Sequence, residues 1–175
     1  MTTVQVVDTD EGAFRDLFAA TYDDVRRFVE RRVHPTHAPD VLSEVYLVAW
    51  RRLADVPAPR DEARAWLCGA ARNVLANRAR GERRQGAVAV RIAAQPTGTD
   101  GRHDDAVASR VDLARAFATL RAADQEVLAL TAWDGLTQAQ AGAVLGISAG
   151  AYAVRLGRAR RRLARRLGRT EGDPS

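Results

Sequence analysis

The stretch LTQAQAGAVLGISAGAYAVRLGRARRRLARRL, residues 136–167, decides the fold of the C-terminal part of this chain. It predicts two helices joined by a tight turn. Thr137 stands three residues before Gln140, which is the spacing of a capping box at the start of a helix. Gly146 suits the left-handed position that ends that helix, and Ser148 is a preferred cap for the next one. The pattern is therefore that of a helix-turn-helix.

The second of these helices has one apolar side and one strongly basic side. Its predicted buried stripe recurs at helical spacing and consists of Tyr152, Leu156, Ala159, Leu163 and Leu167. Arginines without any acidic residue fill the positions between and after them: Arg155, Arg158, Arg160, Arg161, Arg162, Arg165, Arg166 and Arg169. Such a helix fits against nucleic-acid phosphates. A solvated basic helix that packs on its neighbour is the alternative that charge alone leaves open.

Composition limits the classes to which the chain can belong. Its 175 residues suffice for one ordinary domain or two small ones. The net charge of +5 and the pI near 10.5 favour a polyanionic partner. Cys68 is the single cysteine, so an internal disulfide is excluded, and no apolar run approaches the ~20 residues that span a bilayer. Without a signal-peptide pattern, we expect a soluble cytoplasmic protein.

Neither a metal nor a cofactor is expected. His34 and His37 are near each other in sequence, but no neighbouring residues supply a third and a fourth metal ligand.

Three helices are predicted in the N-terminal half. Residues 1–12 are polar and are expected to fray. Asp61 is the predicted cap of the third helix, which follows a loop restrained by Pro57 and Pro59. From their apolar stripes and end signals, the three helices cover residues 14–33, 39–53 and 61–80.

The third helix has a second face that carries an aromatic ring, two amides and two arginines. Spacings of seven, four, three and four residues place them on one side of the helix: Trp66, Asn73, Asn77, Arg80 and Arg84. This combination suits unstacked bases and a phosphate backbone. The alternative is that Trp66 is a core residue and the asparagines are ordinary surface residues.

A break and two further helices precede the helix-turn-helix. Residues 85–105 contain glycines, a proline and paired acids without a helical stripe, which predicts a flexible linker. Helices then resume at about residue 106 and again over 123–134, where Gly135 is the predicted stop. The first of the two is expected to bury Val107, Leu113, Phe117 and Leu120. The fold class is therefore all-α, with two small helical domains, residues 12–84 and 106–169.

Two blocks of the sequence resemble one family. Residues 129–163, ALTAWDGLTQAQAGAVLGISAGAYAVRLGRARRRL, are similar to the promoter-binding region four of bacterial sigma factors. Residues 38–53, APDVLSEVYLVAWRRL, and residues 63–84, ARAWLCGAARNVLANRARGERR, resemble region two of the same proteins. With only a short linker between the blocks, the arrangement resembles the extracytoplasmic-function (ECF) class.

The resemblance implies a function and a set of contacts. A sigma factor binds core RNA polymerase, directs it to promoters and assists DNA opening; it is not an enzyme. The region-two helix that docks on the clamp helices of the polymerase's largest subunit matches Asp40, Leu42, Glu44 and Trp50. The block that reads and melts the −10 element matches Trp66, Leu67, Ala71, Arg72 and Asn73. With the helix-face residues above, the expected −10 surface comprises Trp66, Arg72, Asn73, Asn77, Arg80 and Arg84. The recognition helix at the −35 element matches Arg155 and Leu156. The expected −35 surface comprises Ser148, Ala153, Val154, Arg155, Arg158 and Arg162.

The sequence departs from the family pattern in three places. Ser43 stands where glutamine is usual, and Cys68-Gly69 replaces an aromatic-basic pair. Residues 151–154 replace a usual Thr-Val-Lys-Ser run with Ala-Tyr-Ala-Val, so the family's promoter preference does not carry over. The resemblance also implies an anti-sigma factor as a partner.

Two other functions are open to the residues alone. A helix-turn-helix regulator that acts by promoter occupancy would leave the N-terminal half for dimerisation or sensing. An enzyme would need Cys68 as its nucleophile, and no nearby histidine or acid activates it.

Overall fold

The structure, a computed structural model, describes residues 3–84 and 104–170. All regular structure in these two ranges is helical, which confirms the all-α prediction. The α-helices are α1 (Thr3–Glu30), α2 (Ala38–Arg51), α3 (Arg60–Arg84), α4 (Asp104–Ala118), α5 (Ala122–Ala132), α6 (Gln138–Leu145) and α7 (Ala149–Thr170). Residues 85–103 of the predicted linker lie outside the described part, and its last two residues belong to α4.

Two compact units make up the chain, and the first contains α1, α2 and α3. Each of these helices contributes an apolar stripe to one core, as the sequence pattern predicts. Burial of such stripes is the main source of stability in a bundle of this size. The fully covered side chains are Val25, Phe28 and Val29 from α1, Val41, Val45 and Ala49 from α2, and Leu67 and Ala71 from α3.

The first helix is longer than predicted. The sequence predicts that residues 1–12 fray and that the helix begins at Phe14, whereas α1 begins at Thr3. That expectation is wrong for residues 3–12. The physical reason is that no proline interrupts this segment and Gly12 is its one glycine, so polar composition alone does not end the helix.

The ends of α2 and α3 also differ from the prediction. α2 stops at Arg51, and a short 3-10 turn, Leu53–Asp55, follows it. α3 starts at Arg60, so Asp61 lies in its first turn and is not its cap. In the first turn the carboxylate still favours the positive end of the helix. α3 continues beyond Arg80 to Arg84.

The second unit contains α4, α5, α7 and most of α6. Phe117 and Leu120 are buried as predicted, and Gly135 follows α5 with a φ of 62°. Val107 lies outside the described side chains. The prediction for Leu113 is wrong, because this side chain is 45% exposed. It lines an open apolar groove of about 170 Å³ with Phe117, Leu128, Trp133 and Leu163.

The helix-turn-helix forms through the local contacts that its sequence predicts. The backbone N–H of Gln140 donates to Oγ1 of Thr137 at 3.3 Å, and the N–H of Thr137 donates to Oε1 of Gln140 at 3.0 Å. Gly146 has a φ of 68°, a backbone region that favours glycine. Oγ of Ser148 then accepts a hydrogen bond of 3.2 Å from the N–H of Ala151. Both caps and the glycine turn are confirmed.

A second glycine makes the turn compact. The carbonyl of Gly142 accepts a hydrogen bond of 2.9 Å from the N–H of Ile147. A Cβ added at Gly142 would lie 2.9 Å from the carbonyl oxygen of Ile147. Only a residue without a side chain therefore allows α6 to approach the turn this closely.

Candidate nucleic-acid interface

α7 is held in place by a tyrosine at its first buried position. Tyr152 is fully buried, and its hydroxyl donates a 2.7 Å hydrogen bond to the carbonyl of Val127 on α5. Oγ1 of Thr131 lies 2.7 Å from the same hydroxyl. Burial raises the pKa of the Tyr152 hydroxyl, because the charged phenolate would lose its water. These two bonds fix the register of α7 on α5.

The opposite side of α7 is open to a partner. Ala151, Val154, Arg155 and Arg158 are exposed. Val154 and Arg155 lie three and four residues after Ala151 and four and three before Arg158, so all four share one face. Within the described residues, Arg155 and Arg158 form no ion pair. Their guanidinium groups are therefore available to phosphate or to base edges, the two targets that arginine meets on DNA.

The other predicted −35 residues make hydrogen bonds within the C-terminal unit or are partly buried there. Nη1 of Arg162 lies 2.7 and 2.9 Å from the two carboxylate oxygens of Asp124 on α5. Ser148 caps α7, as described above, and Ala153 is half-buried. Of the predicted set, the structure thus brings Val154, Arg155 and Arg158 together on the exposed face.

On α3, the predicted −10 residues form a row with different degrees of exposure. Trp66 is half-buried, and the guanidinium of Arg52 lies 5.7 Å from its ring centre, within cation–π range. Asn73 and Asn77 are exposed, and Nη2 of Arg80 donates to Oδ1 of Asn77. Arg72 is half-buried, and the side chain of Arg84 lies outside the described ones.

On α2, the residues predicted to meet polymerase divide between surface and core. Asp40 is exposed, and Trp50 is 41% exposed with its ring edge-on to Phe14 at 5.2 Å. Leu42 is only 5% exposed, so it supports the helix from within. Glu44 pairs with Arg78 of α3, with Nη2 at 2.5 Å and Nε at 3.2 Å from Oε1.

Sequence reasoning does not assign Leu47 to the α2 surface, and it does not predict the pairing partners of Arg52, Arg78 and Asp124. Leu47 is 46% exposed and stands one helical turn before Trp50. Arg52, Arg78 and Asp124 each meet a partner from another helix. Leu47 is detectable in sequence as an apolar residue off the buried stripe of α2. The other three have no local signal.

Three observations bear on other kinds of chemistry. Cys68 is buried. Over residues 3–84 and 104–170, no group of three or more His, Cys, Asp or Glu side chains is placed to hold a metal ion. The described helices also include none with the length and apolarity needed to cross a membrane.

The C-terminal unit, with its capped helix-turn-helix and an exposed arginine-bearing helix, has the features of a DNA-binding domain. Comparison with known families agrees: Sigma-70 region 2 matches residues 17–85, and Sigma-70 region 4 matches residues 110–163. Both matches fall where the sequence blocks indicate them.

Curated relatives give the same result. The RNA polymerase sigma factor CnrH of Cupriavidus metallidurans is 32% identical over 139 residues, covering 74% of this chain and 72% of CnrH. The ECF RNA polymerase sigma factor SigC of Mycobacterium tuberculosis is 33% identical over 151 residues, covering 85% of this chain and 80% of SigC. The chain belongs to the sigma-70 family and is an RNA polymerase sigma factor.

Two solved structures share the fold. CnrH in complex with the cytosolic domain of CnrY matches with a TM-score of 0.61 at 24% identity, over 98% of this chain and 96% of CnrH. The sigma factor RpoE in complex with the anti-sigma factor NepR from Bartonella quintana matches with a TM-score of 0.59 at 21% identity, over 94% and 97% of the two chains.

Proposed function

We propose that this sigma factor divides its work between its two units. Residues 12–84 bind core polymerase and the −10 element, residues 106–169 bind the −35 element, and residues 85–105 link them. The observation that carries the proposal is the exposed face of α7, with Val154, Arg155 and Arg158, in the same chain as a region-two match. A regulator that acts by occupancy would not need a region-two domain. Such a regulator is therefore the weaker candidate.

The −10 contact is assigned to α3. Opening a promoter requires holding bases that have left the stack, and an aromatic ring returns ~1–3 kcal/mol per stacked base. Trp66 supplies such a ring, and Arg52 over its face adds positive charge near the phosphates. Asn73 supplies an exposed amide that can meet a base edge. Asn77 and Arg80 act as a bonded pair at the end of the row, with Arg72 and Arg84 as further basic residues.

The polymerase contact is assigned to the exposed side of α2. Asp40 gives this surface a negative charge near the helix start, and Leu47 and Trp50 give it an apolar end. Glu44 is shared with Arg78, so its carboxylate orients α2 on α3 as well as facing outward. Leu42 belongs to the core and is left out of the contact surface.

We also assign an anti-sigma factor as a partner and the cytoplasm as the place of action. Support for the first comes from the relatives, since RpoE was solved with the anti-sigma factor NepR and CnrH with the cytosolic domain of CnrY. RNA polymerase is a cytoplasmic enzyme in bacteria, which supports the second. The protein itself acts by binding, as its sigma-factor relatives support, and Cys68, the cysteine an enzyme would need as a nucleophile, is buried.

The experiment that tests the proposal is recruitment followed by transcription. The purified chain, with an affinity tag added for capture, is mixed with core RNA polymerase, captured, and then used to transcribe a genomic DNA library. We expect stoichiometric capture of polymerase and transcripts with defined start sites. Binding to DNA without any capture of polymerase would instead support a regulator that acts by occupancy.

A further inference from the structure

The exposed face of α7 places one branched apolar side chain among arginines. Val154 is 53% exposed, and Arg155 and Arg158 are exposed beside it. Single apolar residues are ordinary on protein surfaces. Exposure alone therefore gives Val154 no function, and its position on α7 is the informative feature.

That place is the second turn of α7. The first residues of a recognition helix are the ones that meet base edges in the major groove. Ser148 caps this end, and Gly150 and Ala151 lie before Val154 with almost no side-chain bulk. The backbone of α7 can thus come close to the groove floor, and Val154 is the first side chain beyond Cβ on this face.

The chemistry of Val154 selects its target. Valine has no donor or acceptor, and the thymine C5-methyl is the one apolar group that base edges show in the major groove. Its branching at Cβ also restricts χ1, so little rotamer freedom is lost on contact. Arg155 and Arg158 are one and four residues on, within reach of neighbouring base pairs, where guanine O6 and N7 are the usual arginine acceptors.

We propose that Val154 determines promoter specificity by contacting the C5-methyl of one thymine in the upstream element, beside guanine met by Arg155 or Arg158. This inference rests on the proposed −35 role of α7. A buried methyl group contributes enough to change affinity about three- to fivefold.

Deoxyuridine isolates that methyl group, because it differs from thymidine only in lacking it. The full-length chain with core polymerase first selects duplexes from a library that is randomised upstream of a fixed −10 region. Each thymine of the enriched upstream sequence is then replaced singly by deoxyuridine. Competition binding compares the wild-type protein with Val154→Ala, and with Val111→Ala as the control, since Val111 is a 42% exposed valine on α4.

We expect one thymine at which deoxyuridine weakens wild-type binding about three- to fivefold. Val154→Ala should lose a similar factor on the thymine duplex and be insensitive to deoxyuridine at that position. Val111→Ala should behave as wild type. The inference is overturned if no deoxyuridine weakens binding, or if Val154→Ala keeps the full sensitivity to it.

Different results would overturn the role of Val154 and the proposed function. A holoenzyme that selects an upstream sequence but ignores every thymine methyl overturns the role of Val154 alone and leaves the proposed function intact. A holoenzyme that selects no upstream sequence overturns both, because α7 would then not read a −35 element.

Discussion

Nη1 of Arg162 on α7 bridges both carboxylate oxygens of Asp124 on α5, at 2.7 and 2.9 Å, across 38 residues of sequence. Asp124 is largely buried, whereas the Arg162 side chain is 43% exposed. The bond ties the C-terminal half of α7 to the first turn of α5. Together with the Tyr152 hydroxyl, it attaches α7 to α5 at two separate points along its length.

Asp124→Asn should loosen α7 without unfolding the chain. A charge-assisted hydrogen bond contributes about 1–2 kcal/mol when one partner is partly in water. We expect faster amide hydrogen exchange in α7 of the full-length protein by a corresponding factor. Asp112→Asn is the control, since its pair with Arg115 is 3.8 Å long and exposed, and it should change exchange hardly at all. Equal effects of the two substitutions would contradict the importance of the Asp124 contact.

Gly142→Ala should distort the turn of the helix-turn-helix. Its new Cβ would meet the carbonyl oxygen of Ile147, which is backbone and cannot rotate away. We expect destabilisation of about 1–3 kcal/mol, read from chemical denaturation or hydrogen exchange in α6. Gly157→Ala is the control inside α7, where nothing lies within 4 Å of an added Cβ. That change should stabilise by up to ~1 kcal/mol, because alanine favours helix.

The N-terminal unit should lose stability in strong alkali through Tyr46. Burial raises the pKa of Tyr46 to about 12, while its hydroxyl lies 3.1 Å from Oγ1 of Thr21. The unfolded chain ionises this group near pH 10, so stability is complete below that pH and falls between about pH 10 and 12. We expect a loss of about 2–3 kcal/mol from this group. Tyr46→Phe should make the loss of unfolding free energy between about pH 10 and 12 smaller. An unchanged dependence of the unfolding free energy on pH would contradict the role of Tyr46.

Asn73→Ala should reduce promoter opening while leaving polymerase binding intact. Its amide is exposed on α3 and lies outside the hydrophobic core and outside the α2 surface assigned to polymerase. Open complexes are measured by permanganate reactivity of unpaired thymines, and polymerase binding by capture. The defect should shrink on a template mismatched at −10 if Asn73 assists melting, and persist if it reads the displaced strand. Parallel losses in both assays would make Asn73 a docking or structural residue.

Arg158→Ala and Arg162→Ala form a matched pair on one helix. Arg158 has no ion pair within the described residues, so its removal should lower the slope of log affinity against log salt by about one if it meets a phosphate. If it meets guanine, discrimination at that base should relax by ~1–3 kcal/mol. Arg162→Ala should change the salt slope less, since Asp124 already holds its guanidinium. A larger slope change for Arg162 would reverse this assignment.

The sequence predicts the features that depend on residues close together along the chain. The capping box of Thr137 and Gln140, the left-handed Gly146 and the Ser148 cap each rest on residues within a few positions of one another, and all are found. Their signals are local because hydrogen bonds at helix ends join residues two or three apart.

Contacts between helices leave no such signal. Nothing near Asp124 in sequence indicates Arg162, and the pairing of Glu44 with Arg78 depends on how α2 lies on α3. Leu113 shows the converse error, since its helical spacing fits a buried stripe, whereas the described helices leave it 45% exposed. Periodicity identifies the apolar side of a helix and cannot tell how much of that side the fold covers.

The two sides of α7 contribute differently to the stability of the fold. Tyr152, Leu156 and Ala159 keep the helix in place, and Ala151, Val154 and Arg158 lie where they contribute little to that placement. If α7 reads the −35 element as proposed, mutations on its outer side alter the target sequence with little loss of stability. After gene duplication, a copy of this protein then acquires a new set of promoters by changing a few outer residues, without passing through an unstable intermediate. The same separation would allow sigma factors with non-overlapping promoters to be engineered on this one scaffold.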